Sequence, residues 1–497
     1  MFKKILIANR GEIAVRVAQT VQEMGIAAVA VFSEPDRHGV HVTRADEAYP
    51  LEGAASAETY LRIDKIIDIA KKHHVDAIHP GFGFLSENED FAQACADAGI
   101  VFIGPSPSVI RDMGDKIIAK ERFSAAGVPV VPGWSGAADV TLGELKSIAS
   151  RIGYPVLIKA AAGGGGKGMR VVRSEAELQS SIDAARREAD SAFGDARVFM
   201  EKYVTRPRHI EFQIFGDSHG NVVHLFDREC SIQRRHQKIV EESPSPALSD
   251  TLRATMGEAA VRAAKAIGYV NAGTVEFILD ESGSFYFLEV NTRLQVEHPV
   301  TEMVVEHDLV RAQIMVASGG RLPFAQDDLT QTGHAIECRI YAEDASRQFM
   351  PSTGRIEHYV EPTGPGIRVD SGVRAGSEVT VHYDPMLAKL VAWARSRDEA
   401  ISRIASALRR YVVLGVTTNI EFLHRVVTHP AHVAGRLHTH FLDEHAESLC
   451  EEVAPPPDLA LAAATLASGR ARSSTGRTAG ATSSVPGPWE VAGHWRA

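Results

Sequence analysis

The first hundred residues alternate short apolar runs with segments of helical spacing, and this alternation limits the possible folds more than any other feature. Lys4–Ala8 reads as a buried strand. Gly11–Met24 follows with Ile13, Val17, Val21 and Met24 on one helical face, closed by Gly25, and Ala27–Phe32 is a second apolar strand. The pattern returns at Ala77–His79, and again at Val101–Gly104 after a helix ended by Gly99. Such a rhythm predicts an α/β fold, a parallel sheet with helices on its faces. A dinucleotide site is the obvious use of that fold. However, Asn9-Arg10-Gly11-Glu12 lacks the Gly-x-Gly-x-x-Gly that lets backbone approach a pyrophosphate, which excludes NAD.

At 497 residues the chain is long enough for roughly two to four domains. A second region begins near Asp115 and carries a glycine-rich loop at Gly163–Gly168. A third, richer in strands, runs from Gly333 to about Leu442. From Pro455 onward the composition of Ala, Pro, Ser, Gly and Arg cannot bury a core and reads as linker. The formal net charge of −10 excludes the broad basic surface of a nucleic-acid binder. Four scattered cysteines without a CxxC pair argue against structural zinc and disulfides and fit a reducing cytoplasm. The apolar run at Met1–Ala8 is too short for a signal core, and no stretch is long enough to span a bilayer, so the expected location is cytoplasmic.

Chemistry concentrates in four segments. Gly273–Leu279 and Phe285–Asn291 are apolar runs around a polar, glycine-containing stretch, as in a β-hairpin. A loop at Glu281–Ser284 would pair Asp280 with Phe285 and so set Glu276 opposite Glu289, with Asn291 on the same face. Facing carboxylates repel, so a positive group belongs between them, and two carboxylates with an amide oxygen suit Mg²⁺. Alternatively they line a solvated sheet face. Lys159 ends an apolar strand before the glycines at 163–166 and Lys167, whose backbone N–H groups could close over phosphates; a flexible linker fits that composition equally. In Gln233-Arg234-Arg235-His236-Gln237-Lys238, read as extended, His236 and Lys238 project to one side and could hold an anion, or form an ordinary solvated basic patch. Arg293, Gln295 and Glu297 alternate directly after the hairpin. The first two could grip a small planar oxyanion while Glu297 takes its proton, although a polar loop leading into a helix at Pro299 is the plainer reading.

Together, Ala8–Ala14, His79–Asn88, Met113–Lys116, Arg234–Lys238 and Glu289–Glu302 resemble the biotin carboxylases, over about residues 2–445 and in order. The resemblance implies a Rossmann-like domain at 1–114 and an ATP-grasp domain at 115–330 with a lid about 131–204. A β-rich C-terminal domain at 331–446 and a flexible tail at 447–497 would follow. It implies ATP binding by Lys116, Lys159, Gly164, Gly165, Gly166, Met169, Glu201, Lys202, Val204, His209, Gln233, His236, Glu276 and Ile278. It implies Mg²⁺ or Mn²⁺ on Glu276, Glu289 and Asn291, and bicarbonate on Lys238, Arg293, Gln295 and the Val296 backbone. Glu297 would be the general base and Arg339 the group that holds the biotin enolate. The implied partners are a biotin carboxyl carrier, a carboxyltransferase and a second copy of the chain. Phe82 stands where the family usually has Tyr, and Ala162 where some members have a further glycine. No Ala-Met-Lys-Met biotin acceptor is present, and Lys389 in Met386-Leu387-Ala388-Lys389 reads as structural. The Pro488–Arg496 segment resembles the entry to the next region of longer α-chains, so the expectation is a truncated α-subunit or a carrier supplied separately. Another ATP-grasp ligase would share the hairpin and lid but lack Arg293, Gln295, Glu297 and Arg339 together. A non-catalytic nucleotide-binding scaffold would lack Glu297, Glu276 or Lys238.

Overall fold

A computed structural model of the chain describes residues 1–134, 142–161 and 169–450. Strands Lys4–Ile7 (β1), Ala27–Phe32 (β2), Glu47–Pro50 (β3), Ala77–His79 (β4) and Val101–Phe102 (β5) form a parallel sheet in the order β3-β2-β1-β4-β5. Helix α1 (Gly11–Glu23) buries Ile13, Val17 and Val21 in the same core as Ile5 and Ile7. Leu294, Val300 and Val304 belong to that core as well, so the first sheet is packed against the segment holding Arg293, Gln295 and Glu297. Each such aliphatic side chain contributes about 1.5–3 kcal/mol when fully buried. At the C-terminal edge of β1 and β4, Asn9 Nδ2 donates to the carbonyls of Pro80 and Phe82, both at 2.8 Å. Gly81 permits this approach, because a Cβ there would lie 2.8 Å from Asn9 Nδ2.

Gly133–Trp134 (β6), Val156–Ala160 (β7), Arg170–Val172 (β8) and Val198–Lys202 (β9) make a small antiparallel sheet in the order β6-β9-β7-β8. Lys159 and Glu201 sit on its two central strands. The lid glycines Gly164, Gly165 and Gly166 fall outside the described residues.

The largest sheet contains Arg208–Gly216 (β10), Val222–Arg234 (β11), Gln237–Ser243 (β12), Asn271–Leu279 (β13), Phe285–Asn291 (β14) and His334–Tyr341 (β15). Strands Met386–Ala394 and Ile367–Ser371 complete the order β14-β13-β10-β11-β12-β15, then 386–394, then 367–371. Period two sorts its residues. Ile210, Phe212 and Ile214 pack with the helix Asp250–Ala266, while His209, Glu211 and Gln213 take the other face. Likewise Ile336, Cys338 and Ile340 pack under the helix Arg397–Arg410, leaving Glu337 and Arg339 on the opposite side. The sheet runs without a break across residue 330, where a domain boundary is expected. Ordered structure also continues past 447, since Ala446–Leu449 is helical and Leu449 is buried. Lys389 lies within the strand Met386–Ala394 with 0% exposure, which bars it from modification as a biotin acceptor.

The end of β10 sets a tight steric limit: a Cβ at Gly216 would stand 2.0 Å from the Tyr269 carbonyl oxygen. Gly216→Ala is expected to destabilise the protein by about 1–3 kcal/mol through overpacking, measured by urea unfolding. Unchanged stability would mean that the two backbones separate freely.

Candidate active site

The β13–β14 hairpin differs from the expected register and still delivers the expected pair. Its loop is one residue longer: Asp280 N–H donates to Ser284 O at 2.9 Å, and Leu279, not Asp280, pairs with Phe285. A bulge at Leu288 then absorbs one residue of β14, so Glu276 faces Glu289 after all. Glu211 of β10 lies on the other side of Glu276, and Arg228 of β11 lies beyond Glu211. Three carboxylates therefore stand in a row across adjacent strands.

Lys238 supplies a cation for two of this row, Glu211 and Glu276, and also for Glu297. Its Nζ lies 2.5 Å from Glu211 Oε2, 2.8 Å from Glu276 Oε1 and 2.7 Å from Glu297 Oε1. Burial alone would lower its pKa, but the three carboxylates raise it well above the ordinary lysine value. The segment carrying Lys238 is not extended as expected. Arg235 and His236, with φ of +49° and +67°, form a two-residue turn that pairs Gln233 with Lys238 and Arg234 with Gln237. Positive φ at both turn positions matches the strand twist, at a strain of about 1 kcal/mol or more for each non-glycine residue. The turn brings Gln233 and Lys238 side by side and leaves His236 at the tip.

Glu297 is fully buried behind this ammonium. Its second oxygen accepts from Arg339 at 3.0 Å, while Arg339 Nε donates to Glu241 at 2.6 Å. Burial pushes the Glu297 carboxyl up, yet Lys238, Arg339 and Arg228 together hold it well below the usual carboxylate range. Residues 292–297 form a loop rather than a strand, so Arg293, Gln295 and Glu297 do not share one strand face. Arg293 Nη1 donates to Gln295 Oε1 at 3.0 Å, and Glu87 clamps Arg293 Nε at 2.8 Å. Glu297 lies a layer deeper.

One cavity of about 860 Å³ is lined by Lys116, Lys159, Met169, Glu201, Lys202, Val204, His209, Gln233, His236, Lys238, Glu276, Ile278, Glu289, Asn291, Arg293, Gln295, Val296 and Arg339. These are the site residues expected from the sequence, apart from the lid glycines and the deeper Glu297. Lys159 pairs with Glu201 at 2.7 Å, and Gln233 Nε2 donates to His209 Nδ1 at 2.7 Å. Lys202 Nζ is held by the carbonyls of Gly153 and Tyr154.

The donor set around Glu276 and Glu289 fits a divalent cation. Burial and the neighbouring Glu276 charge raise the Glu289 pKa, with Lys116 partly opposing them, so a further positive charge would be favourable there. Asn291 turns its amide N–H to Glu276 at 2.9 Å, and its oxygen accepts from Arg293 at 3.2 Å. It supports the carboxylates in this arrangement. The neighbouring groups His209–Glu211–Glu276 and Glu211–Cys230–Glu297 also bring possible ligand atoms together, but Glu211 and Glu297 are already paired with Lys238 and with Arg228 and Arg339.

Comparison with known proteins agrees with this geometry. Profiles for the biotin carboxylase N-terminal domain, the carbamoyl-phosphate synthase L chain ATP-binding domain and the biotin carboxylase C-terminal domain match residues 1–110, 115–325 and 337–444. The chain is 54% identical over 466 residues to the mitochondrial methylcrotonoyl-CoA carboxylase subunit alpha of Dictyostelium discoideum, covering 93% of this chain and 66% of that protein. It thus spans just under two thirds of that relative's length. It is 53% identical over 443 residues to the biotin carboxylase of a Nostoc species, covering 89% of this chain and 99% of that one. The biotin carboxylase domain dimer of Hydrogenobacter thermophilus 2-oxoglutarate carboxylase, solved with MgADP, ADP and bicarbonate, superposes with a TM-score of 0.87 at 48% identity. That match covers 91% of this chain and all of that one. The chain belongs to the biotin carboxylase family of ATP-dependent ligases. No helix among the described residues is long and apolar enough to cross a membrane. Because the Dictyostelium relative is mitochondrial, the cytoplasmic expectation gains no support from it.

Sequence reasoning missed Glu211, Arg228, Glu87 and Lys120, the last paired with Glu201. Glu211 had a visible signal. His209, Glu211 and Gln213 are polar at alternate positions of an otherwise apolar strand, which buries them on one face.

Removing the central cation would leave Glu211, Glu276 and Glu297 with only Arg228, His209 and Arg339 to offset them. Lys238→Met is expected to cost about 3–5 kcal/mol at about pH 8, measured by urea unfolding. In the wild type, Glu276 and Glu297 are held low, so their stabilisation is fully present down to about pH 5 and is lost only below about pH 4. In the variant their carboxyls rise, and protonation relieves the strain, so the deficit should shrink toward about pH 5. A deficit constant with pH would contradict the arrangement.

Proposed function

We propose that this chain uses ATP and bicarbonate to carboxylate biotin on a carrier domain, the first half-reaction of an acyl-CoA carboxylase. The observation that carries the proposal is that Lys238 joins the Glu276 carboxylate to Glu297, within one cavity that also holds Arg293, Gln295 and Arg339. The match to a methylcrotonoyl-CoA carboxylase subunit supports the acyl-CoA branch. We assign residues 1–114, 115–330 and 331–446 to the Rossmann-like, ATP-grasp and C-terminal domains, in line with the family matches. The partners are the biotin carrier, a carboxyltransferase and a second copy of the chain; the dimeric Hydrogenobacter structure supports the last.

In this reading Lys116, Lys159, His209 and His236 face the phosphates, and Met169, Val204 and Ile278 provide an apolar wall for the base. Glu276 and Glu289, steadied by Asn291, would hold Mg²⁺ or Mn²⁺, which when bound offsets the charge spread over the transferring phosphoryl group. Bicarbonate sits against Arg293, Gln295 and the Val296 backbone. It is an anion, so it competes with Glu297 for Lys238 and Arg339, and as those cations turn to it Glu297 becomes basic enough to take its proton. The freed oxygen attacks the γ-phosphorus, and ADP leaves. Carboxyphosphate divides into CO₂ and phosphate, phosphate takes the N1′ proton of biotin, and the enolate held by Arg339 captures CO₂.

The test is ADP release with Mg²⁺ATP, bicarbonate and free biotin, each omitted in turn. Glu297→Gln is expected to keep nucleotide binding and lose bicarbonate-dependent turnover by about a hundredfold or more. Turnover that ignores biotin, or that the variant retains, would overturn the assignment.

A further inference from the structure

A fully buried lysine behind the bicarbonate loop has no part in the chemistry above. Lys389 donates from Nζ to the Val296 carbonyl at 2.8 Å. Glu12 lies 3.3 Å and Asp370 3.7 Å from its ammonium, and the Phe82 ring centroid is 5.8 Å away. On the sheet Lys389 is the direct cross-strand neighbour of Arg339.

Burying an ammonium with its acid costs several kcal/mol, so a methionine–glutamine pair would fill this space at least as favourably. What a lysine adds is a donor. The carbonyl it holds belongs to the peptide group that also carries the Glu297 N–H, so the bond fixes the backbone plane just before the proposed base. Arg339, on the adjacent strand, holds the same residue by its carboxylate at 3.0 Å. Two neighbouring strands thus grip Glu297 from its backbone and from its side chain.

One of these counter-ions is equally constrained. Glu12 stands in the first turn of α1, where a Cβ at Gly372 would come 2.6 Å from the Glu12 nitrogen. Both Glu12 oxygens are buried and lack a hydrogen-bond partner among the described residues. They face the Lys389 charge across 3.3 Å or more.

We infer that Lys389 is a positioning residue: it holds the Val296–Glu297 peptide in the orientation bicarbonate needs, between the acids Glu12 and Asp370. The inference rests on the reading that Val296 and Glu297 serve bicarbonate. It also gives the Asn9-Arg10-Gly11-Glu12 segment a role, since that segment brings Glu12 from the first sheet.

The experiment is steady-state kinetics on the full chain with Mg²⁺ATP, bicarbonate and biotin, beside thermal unfolding. Lys389→Met should raise the KM for bicarbonate about tenfold or more, because small displacements of a reacting group are costly. The KM for ATP should stay within roughly twofold, as uniform ATP binding is untouched. The double variant Glu12→Gln with Lys389→Met removes the ammonium and the Glu12 carboxyl together, leaving Asp370 paired with Arg368 at 2.8 Å. It should regain thermal stability yet keep the high bicarbonate KM, a split that a purely structural lysine would not produce. A folded double variant with the wild-type bicarbonate KM overturns the inference alone. If either methionine variant fails to fold, Glu12→Gln is read in the same assay at about pH 8, above the pKa of the Glu12 carboxyl, which burial raises to about 7. It should raise the bicarbonate KM about threefold or more by loosening the ammonium, and an unchanged value overturns the inference. Wild-type protein without bicarbonate-dependent turnover would overturn the functional reading and this inference together.

Discussion

The Lys238 ammonium touches three carboxylates that belong to different parts of the chain. Glu211 comes from β10, Glu276 from β13, and Glu297 from the loop beyond β14. No one of these acids could be buried alone, since the desolvation of an isolated carboxylate exceeds what neighbouring dipoles return. The ammonium is tolerable only while the acids are present, and the acids only while it and the neighbouring cations are. The group therefore assembles as a unit, and it ties the β13–β14 hairpin to the loop that carries Glu297. Arg228 and Arg339 extend it at either end, binding Glu211 and Glu297.

This mutual dependence bears on reactivity. A base paired with two cations is a poor base, and Glu297 is held low by Lys238 and Arg339. Under the proposed function, such a site would be inert until an anion entered and shared those cations. Charge balance then couples substrate arrival to base strength without any movement of the backbone. The same logic explains why Arg293 is clamped by Glu87 and Gln295: a free guanidinium there would compete for Glu297 before the substrate arrived.

Much of this was legible in the residues, because strand periodicity and hairpin signals are local. β2 and β4 fall where their apolar runs lie, and Glu276 faces Glu289 as expected. The exact pairing was not legible. The loop took Asp280 and the bulge at Leu288 compensated, a cancellation that depends on packing rather than on composition. The turn at Arg235-His236 was missed for a similar reason. Neither residue favours positive φ, so only the pairing of β11 with β12 makes the turn necessary. Lys238, Glu276 and Glu297 were all singled out, but their pairing with one another and with Glu211 was not, as these acids lie 27 to 59 positions from Lys238 in the chain.

The parallel sheet that invited a dinucleotide reading serves the site in another way. Its strand ends carry Asn9, which fixes the 80–82 turn, while Glu87 and Glu12 reach across to Arg293 and Lys389. The edge where such folds usually seat a ligand therefore supplies anions that orient cations elsewhere. That division explains the absence of a Gly-x-Gly-x-x-Gly: backbone here must approach another loop of the same protein, and the glycine falls at 81, against the Asn9 side chain. The fold was legible from its rhythm, but its use could be read only from the side chains at the strand ends.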